Sequence, residues 1–163
     1  MRYTETALAD PPGTMKRGML IASRFELLDR IRARGNNQLF MGLDRTSGQS
    51  VAIKFLEESS TGAERFAREV TLLTELSHPS IVRYIAHGTL GRRPYLVMEW
   101  VEGRPLSHFL SDGLTMRESV EVTSRIAQAL SVVHVRGVVH RALDPSNIMF
   151  VDGRLDDLKL IDF

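Results

Sequence analysis

From Phe25 the chain breaks into short segments in which apolar and polar residues alternate: FELLDRI, QLFMGLD and SVAIKFL. A period of two is what a half-buried strand shows. The intervening GNN (35–37) and RTSG (45–48) are turn sequences, so the pattern predicts an antiparallel meander. The texture then changes. In AERFAREVTLLTEL (63–76), Phe66, Val70, Leu73 and Leu76 recur at helical spacing and His78-Pro79 ends the run, which predicts an amphipathic helix. Two further strands follow in SIVRYIAHGTL and PYLVMEWV, with GRRP as the turn between them. EGRPLSHFLSDG reads as a loop with a short helix. Arg117 to His134 reads as a long helix with Val120, Ile126, Ala127, Leu130 and Val133 on its buried face. The remainder, HRALDPSNIMF, VDGRLDDL and KLIDF, reads as a loop, a short strand, a turn and another short strand. Residues 1–22 are polar and broken by Pro11, Pro12 and Gly13, and are expected to be a mobile leader. There is no internal repeat and no low-complexity tract.

Composition narrows the classes. Of 163 residues, 43 % are apolar and 25 % charged, enough for a packed core and too apolar for general disorder. The 21 basic and 20 acidic residues leave a net charge of +1, so there is no electrostatic footprint for nucleic acid or a membrane surface. No apolar run is long enough to span a bilayer, and the N-terminus lacks the apolar core of a signal peptide. The absence of cysteine removes disulfides and thiolate metal sites and allows a reducing compartment; the expected location is cytoplasmic.

The candidate chemistry lies in motifs that mean little singly. VAIK (51–54) is a buried strand ending in a lysine, and a lysine at a strand end commonly just reaches for water. Its company changes the picture. Glu69 stands fifteen residues on, in the predicted helix. HRALDPSN (140–147) forms a loop with Asn147 five positions past Ala142, and Asp162-Phe163 follow the short apolar strand LKLI. This ordered set, with SHPSIVRYIAHG and PYLVMEWVEG, resembles the protein kinase family, in its serine/threonine branch, from about Phe25 to Phe163.

The resemblance implies an α+β, kinase-like fold: a five-stranded antiparallel small lobe with one helix (23–98), a connection at 99–103, and a helical large lobe (104–163) that is cut short at Phe163. It implies that Lys54 holds the α- and β-phosphates of ATP and that Glu69 pairs with it. Met98 would back the adenine pocket, and Glu99 to Val101 would offer backbone hydrogen bonds to adenine. Asn147 and Asp162 would hold magnesium, a cation that favours oxygen ligands. His140, Phe163 and Leu73 would be packing members beside the site.

Four departures from the family pattern stand out. Where the family has a Gly-rich phosphate loop, this chain has IRARGNNQLF, with Arg32, Arg34 and Asn37 at the three glycine positions. The hairpin is expected to turn at Asn36-Asn37. Arg32 and Arg34 share a strand face, and either point to solvent, the preferred reading, or reach over the phosphates. Ala142 occupies the place of the catalytic aspartate, and a general base is worth about 10²–10⁴ in rate. Asp144 stands where the family has a lysine beside the γ-phosphate; its other reading is a displaced base. Finally, the sequence ends within D-F-G, so the helix 117–134 is expected to present an apolar face to water, to a protein partner or to a missing large-lobe segment. The expected function is a kinase-family domain with a weak ATP and magnesium site and impaired catalysis, a pseudokinase or inactive fragment in signalling. The competing reading is an active serine/threonine kinase within a longer polypeptide.

Overall fold

The computed structural model describes residues 15–34, 37–56, 70 and 76–163. Among the described residues, nine strands make two antiparallel sheets. The larger has strand order β1-β2-β3-β4-β6-β5, from β1 (Leu20–Ile21), β2 (Phe25–Arg34), β3 (Asn37–Asp44), β4 (Ser50–Phe55), β5 (Tyr84–Leu90) and β6 (Arg93–Glu99). The smaller has order β7-β8-β9, from β7 (Gly103–Pro105), β8 (Ile148–Val151) and β9 (Leu158–Leu160). Between β7 and β8 lie α1 (Leu106–Leu110), α2 (Met116–Val135) and a 3-10 turn at Pro145–Asn147.

The alternation seen in the sequence becomes a division between the faces of the large sheet. Val51, Ile53 and Phe55 of β4 pack with Ile21, Phe25, Leu27, Phe40, Tyr95 and Val97 on one face, where Phe40 and Phe55 meet edge to face at 5.9 Å between ring centres. The intervening Ala52 turns the other way, to a second cluster shared with Leu96 and Met98. That cluster continues through Ile81, Val82 and Tyr84 to Val122, Ala129, Val133, Phe150, Leu158 and Leu160, so a single apolar body joins the two sheets.

The five long strands appear where the alternation places them, with one addition. Met15 and Ile21 are buried against the large sheet, Leu20–Ile21 pairs with Phe25–Glu26, and Gly18 N–H bonds the Leu27 carbonyl at 2.7 Å. Residues from Met15 to Ile21 are therefore packed on the sheet, within the stretch that reads as leader. A strand of two residues is too short to show a period, which is why its sequence reads as leader. At the other end of β2, Arg34 pairs with Asn37, so Asn37 belongs to β3 and not to the turn; the residues between them lie outside those described. Of the helix expected over 63–76, Val70 is helical and buried and Leu76 is buried, while Glu69 and Leu73 lie outside the described residues.

Helix α2 has clear stops. Thr115 and Glu118 form a reciprocal capping box, and Thr115 Oγ1 accepts from Glu118 N–H at 3.3 Å. At the other end Gly137, with φ 72°, bonds back to the His134 carbonyl and Val138 to that of Val133, the two hydrogen bonds of a Schellman ending. Its buried stripe is Val122, Ala129 and Val133, with Ile126 and Leu130 at the margins. Val120 is 62 % exposed and Ala127 is also exposed, which corrects the face read from the sequence. The residues of that apolar run that touch the core lie on a narrower stripe, set by contact with β9.

An ion pair between a buried carboxylate and a partly exposed arginine pins the first hairpin. Asp44, 2 % exposed, accepts Arg24 Nε at 2.8 Å and Nη2 at 2.7 Å, together with Thr46 N–H and Ser47 Oγ, while the guanidinium lies 4.7 Å over the Phe25 ring. The Arg24 guanidinium holds the Asp44 carboxyl well below the usual carboxylate range, against the opposing effect of burial. A depressed folded pKa adds stability that is present above the unfolded pKa, roughly 4, and is lost as pH falls below it. Asp44→Asn is expected to lower the melting temperature by several degrees at pH 7 and to flatten its decline between about pH 4 and pH 2, as measured by circular dichroism melts. A variant with an unchanged acid limb would remove Asp44 from this role.

Candidate functional site

The alternation of β4 that buries Ile53 directs Lys54 to the opposite face, where it borders a cleft of about 850 Å³ between the two sheets. The size suits a small-molecule ligand, and the walls combine an aliphatic part with a large share of polar and charged side chains. Ile31, Leu39, Ala52 and Met98 come from the large sheet, Met149 from the small one, and Val101 from the segment joining them. Two bulges in β2 help. The register slips between Leu27 and Arg30 and again between Arg30 and Arg32, so Ile31 is an extra residue and borders the cleft beside Arg32.

The joining segment is short. β6 ends at Glu99 and β7 begins at Gly103. Glu99 N–H is taken by the Arg83 carbonyl at 2.9 Å and Trp100 N–H by that of Ser50 at 3.4 Å, whereas Val101 N–H has no backbone acceptor among the described residues and borders the cleft. The Glu99 side chain turns away from ligand duty. Its Oε1 accepts Lys159 Nζ at 2.7 Å and Arg83 N–H at 2.9 Å, tying the joining segment to β9. Gly103 is needed at the next step, because a Cβ there would lie 2.0 Å from the Phe150 carbonyl oxygen.

The polar end of the cleft is made by the loop after α2 and the residues after β9. Ala142 N–H bonds the His140 carbonyl at 2.6 Å, closing a γ-turn around Arg141, whose φ is 58°. Asp144 caps the 3-10 turn: its Oδ1 accepts Ser146 N–H at 2.8 Å and Ser146 Oγ at 2.6 Å, and these bonds hold its pKa below the ordinary value. Asn147, buried, donates Nδ2 to the Ala142 carbonyl at 2.8 Å, which leaves its Oδ1 as an acceptor. Ile161 N–H bonds the Asn147 carbonyl at 2.9 Å, carrying the chain past the loop to Asp162. Asp162 has φ 67°, an uncommon backbone state for an aspartate, and its carboxylate pairs with Lys54 Nζ.

Behind this end sits a packed ring pair. His140, 3 % exposed, lies 4.3 Å from the Phe163 ring between centres. Burial pushes the imidazole pKa down, opposed by the backbone of Ile161 and the charge of Asp162. The Tyr84 hydroxyl is buried beside the Phe163 backbone, and burial raises its pKa.

Of the residues singled out in the sequence, Lys54, Met98, Glu99, Val101, Ala142, Asp144, Asn147 and Asp162 all line this one cleft. Glu69 lies outside the described residues. Arg32, expected to point to solvent, is exposed yet borders the cleft. Sequence reasoning passed over Met149 and Lys159. Met149 was findable as the residue two past Asn147 on a strand, and Lys159 as the polar member of the Leu158, Lys159, Leu160 alternation. Among the described residues no group of three or more His, Asp or Glu side chains could hold a metal; the oxygen donors at this end are Asn147 Oδ1 and the Asp162 carboxylate, of the kind magnesium takes alongside phosphate and water oxygens.

Comparison with known proteins places this geometry. The family model for the protein kinase domain matches residues 35–163. Serine/threonine-protein kinase pkn2 of Myxococcus xanthus is 32 % identical over 151 residues, covering 89 % of this chain and 18 % of that protein. Serine/threonine-protein kinase PknA of Mycobacterium tuberculosis is 31 % identical over 157 residues, covering 90 % and 36 %. The PknI kinase domain of Mycobacterium tuberculosis superposes with a TM-score of 0.80 at 22 % identity over 92 % of this chain and 63 % of that one. Rad53 in complex with AMP-PNP gives a TM-score of 0.76 at 25 % identity over 86 % and 38 %. The chain thus spans roughly a fifth to a third of these curated relatives.

The Glu99–Lys159 pair yields a direct test. A double-mutant cycle on Glu99→Gln and Lys159→Met is expected to give a coupling energy of about 1 kcal/mol in urea denaturation, because both groups are about four-fifths buried. Strict additivity would show that the pair does not hold the joining segment to β9.

Proposed function

The chain belongs to the protein kinase family, in its serine/threonine branch, and on that premise we propose that its cleft binds ATP with magnesium while phosphoryl transfer is strongly impaired, the behaviour of a pseudokinase in cytoplasmic signalling. The observation that carries this reading is Ala142. It borders the cleft in the loop that also supplies Asn147, at the position where the family has its base, and it offers only a methyl group and a carbonyl already used by Asn147.

The residues divide the work of binding. Ile31, Leu39 and Ala52 on one wall and Met149 on the other make an apolar slot for a flat base, and Val101 N–H is free to donate to it. Lys54 is a point charge for phosphate oxygens, at present aimed by Asp162. Asn147 Oδ1 and the Asp162 carboxylate would hold magnesium, which when bound shields phosphate charge. Asp144 adds an anion at this end, and its two hydrogen bonds from Ser146 support a capping role over a displaced base, since they lower its proton affinity. That anion disfavours a terminal phosphate, so ATP should gain less over ADP than in a kinase with a lysine there.

A second reading, an active kinase as part of a longer polypeptide, is favoured by the meeting of Lys54, Asn147 and Asp162 in one cleft. Phosphoryl transfer to protein serine and threonine, assayed in the full native polypeptide, separates the two. The expected result is no detectable transfer, with Ala142→Asp raising it by about 10²–10⁴ and Asp144→Lys neutral or helpful. Activity in the unaltered protein that disappears on Asp144→Lys would make Asp144 the base and overturn the proposal. For binding, calorimetric titration with ATP and ADP is expected to show an affinity that rises with magnesium for both; no metal effect on either would exclude Asn147 and Asp162 as its ligands.

A further inference from the structure

The three glycine positions of the family's phosphate loop fall on Arg32, Arg34 and Asn37 here, and the register of the large sheet says where the first of them stands. On β2 and β3, Arg32 is paired with Leu39; on β3 and β4, Leu39 is paired with Lys54. Residues directly opposite each other in antiparallel strands project to the same face. Arg32, Leu39 and Lys54 are thus one cross-strand row, and all three border the cleft. Arg32 stands two strand spacings from Lys54, about 10 Å at the backbone, a gap that two long side chains can close over a ligand between them. The bulge at Ile31 makes this possible, since it lets Ile31 and Arg32 border the cleft as neighbours.

The charges of the lining point the same way. Lys54 is paired with Asp162, Glu99 with Lys159, Glu102 accepts the Trp100 indole N–H at 3.0 Å, and Asp144 is bonded to Ser146. Arg32 is the cation of the lining that has no hydrogen bond or ion pair among the described residues. Elsewhere on the same hairpin and its approach, Arg17 is matched with Asp29, Arg24 with Asp44 and Arg45 with Glu26, while Arg30 is exposed and lies off the cleft lining. An unmatched guanidinium at the mouth of a cleft, in the row of the phosphate-binding lysine, has the fork geometry for phosphate oxygens.

We infer that Arg32 is an anion-contacting residue of this cleft, its guanidinium taking the phosphate tail of a bound nucleoside polyphosphate in place of main-chain N–H groups. This rests on the nucleotide reading above and assigns the roof of its phosphate subsite. Binding at that subsite then depends on side-chain charge, so it is salt-sensitive and persists without metal.

The test is calorimetric titration of the chain with adenosine, ADP and ATP in the presence of a chelator, at low and at high salt, for the unaltered protein, Arg32→Ala and Arg32→Lys. Arg32 is exposed, so the variants should fold, and thermal melts would verify that. The expected result is equal adenosine affinity in all three proteins. The gain of ATP over adenosine should shrink about tenfold in Arg32→Ala, be partly restored in Arg32→Lys, and fall with salt in the unaltered protein. An ATP-to-adenosine ratio unchanged by Arg32→Ala, or no gain from phosphates in the unaltered protein while adenosine still binds, would overturn the role of Arg32 and leave the adenine slot standing. Failure of adenosine itself to bind the unaltered protein would overturn the nucleotide reading and this inference with it.

Discussion

Strand β9 is hydrogen-bonded along both edges, and the cleft exists because of it. One edge pairs with β8 in the small sheet. On the other, Val82 N–H bonds the Leu160 carbonyl and Leu160 N–H bonds that of Ser80, each at 2.9 Å, which attaches the small sheet to the segment leading into β5 of the large one. Lys159, between the two apolar members of β9, reaches Glu99 and fastens the same strand to the joining segment. Three residues of backbone thus meet both lobes. Asp162, two positions past the strand, is delivered to Lys54 from the far sheet, and Phe163 is delivered to His140.

That arrangement also explains why the departures in the catalytic loop are tolerated by the fold. His140 contributes its ring to the packing and Asn147 contributes one amide hydrogen bond and its backbone to the loop. Neither contact needs a carboxylate at 142 or a cation at 144. Asp144 has found a local use as the cap of the 3-10 turn, satisfied by Ser146. The architecture of the cleft and the side chains at 142 and 144 are therefore separable here: the first depends on strand pairing and burial, the second are two side chains that no packing contact demands.

The hairpin end of the cleft, where the family has its glycines, shows the same economy. Glycines let backbone N–H groups approach an anion closely. With Arg32 and Asn37 in this hairpin, β2 and β3 are paired as far as Arg34 opposite Asn37, and a guanidinium stands at the border of the cleft.

Much of this was legible in one sequence. Alternation in SVAIKF separates Ile53 from Lys54 because a strand has a period of two, so burial of one compels the other to the cleft; the ordered motifs likewise marked Asn147 and Asp162 before any contact was known. What alternation cannot carry is pairing between distant segments. The two-residue strand at Leu20–Ile21 has no period to detect, and the buried stripe of α2 was misassigned at Val120 and Ala127 because an apolar run does not say which of its members a neighbour will cover. The register Arg32–Leu39–Lys54 depends on two bulges that leave no mark in composition, and the bonds from β9 to residues 80–82 join positions nearly eighty apart. Local periodicity and residue chemistry determined the elements and the candidate site; strand register and long-range main-chain bonding, which only the folded chain satisfies, decided which charges share the cleft.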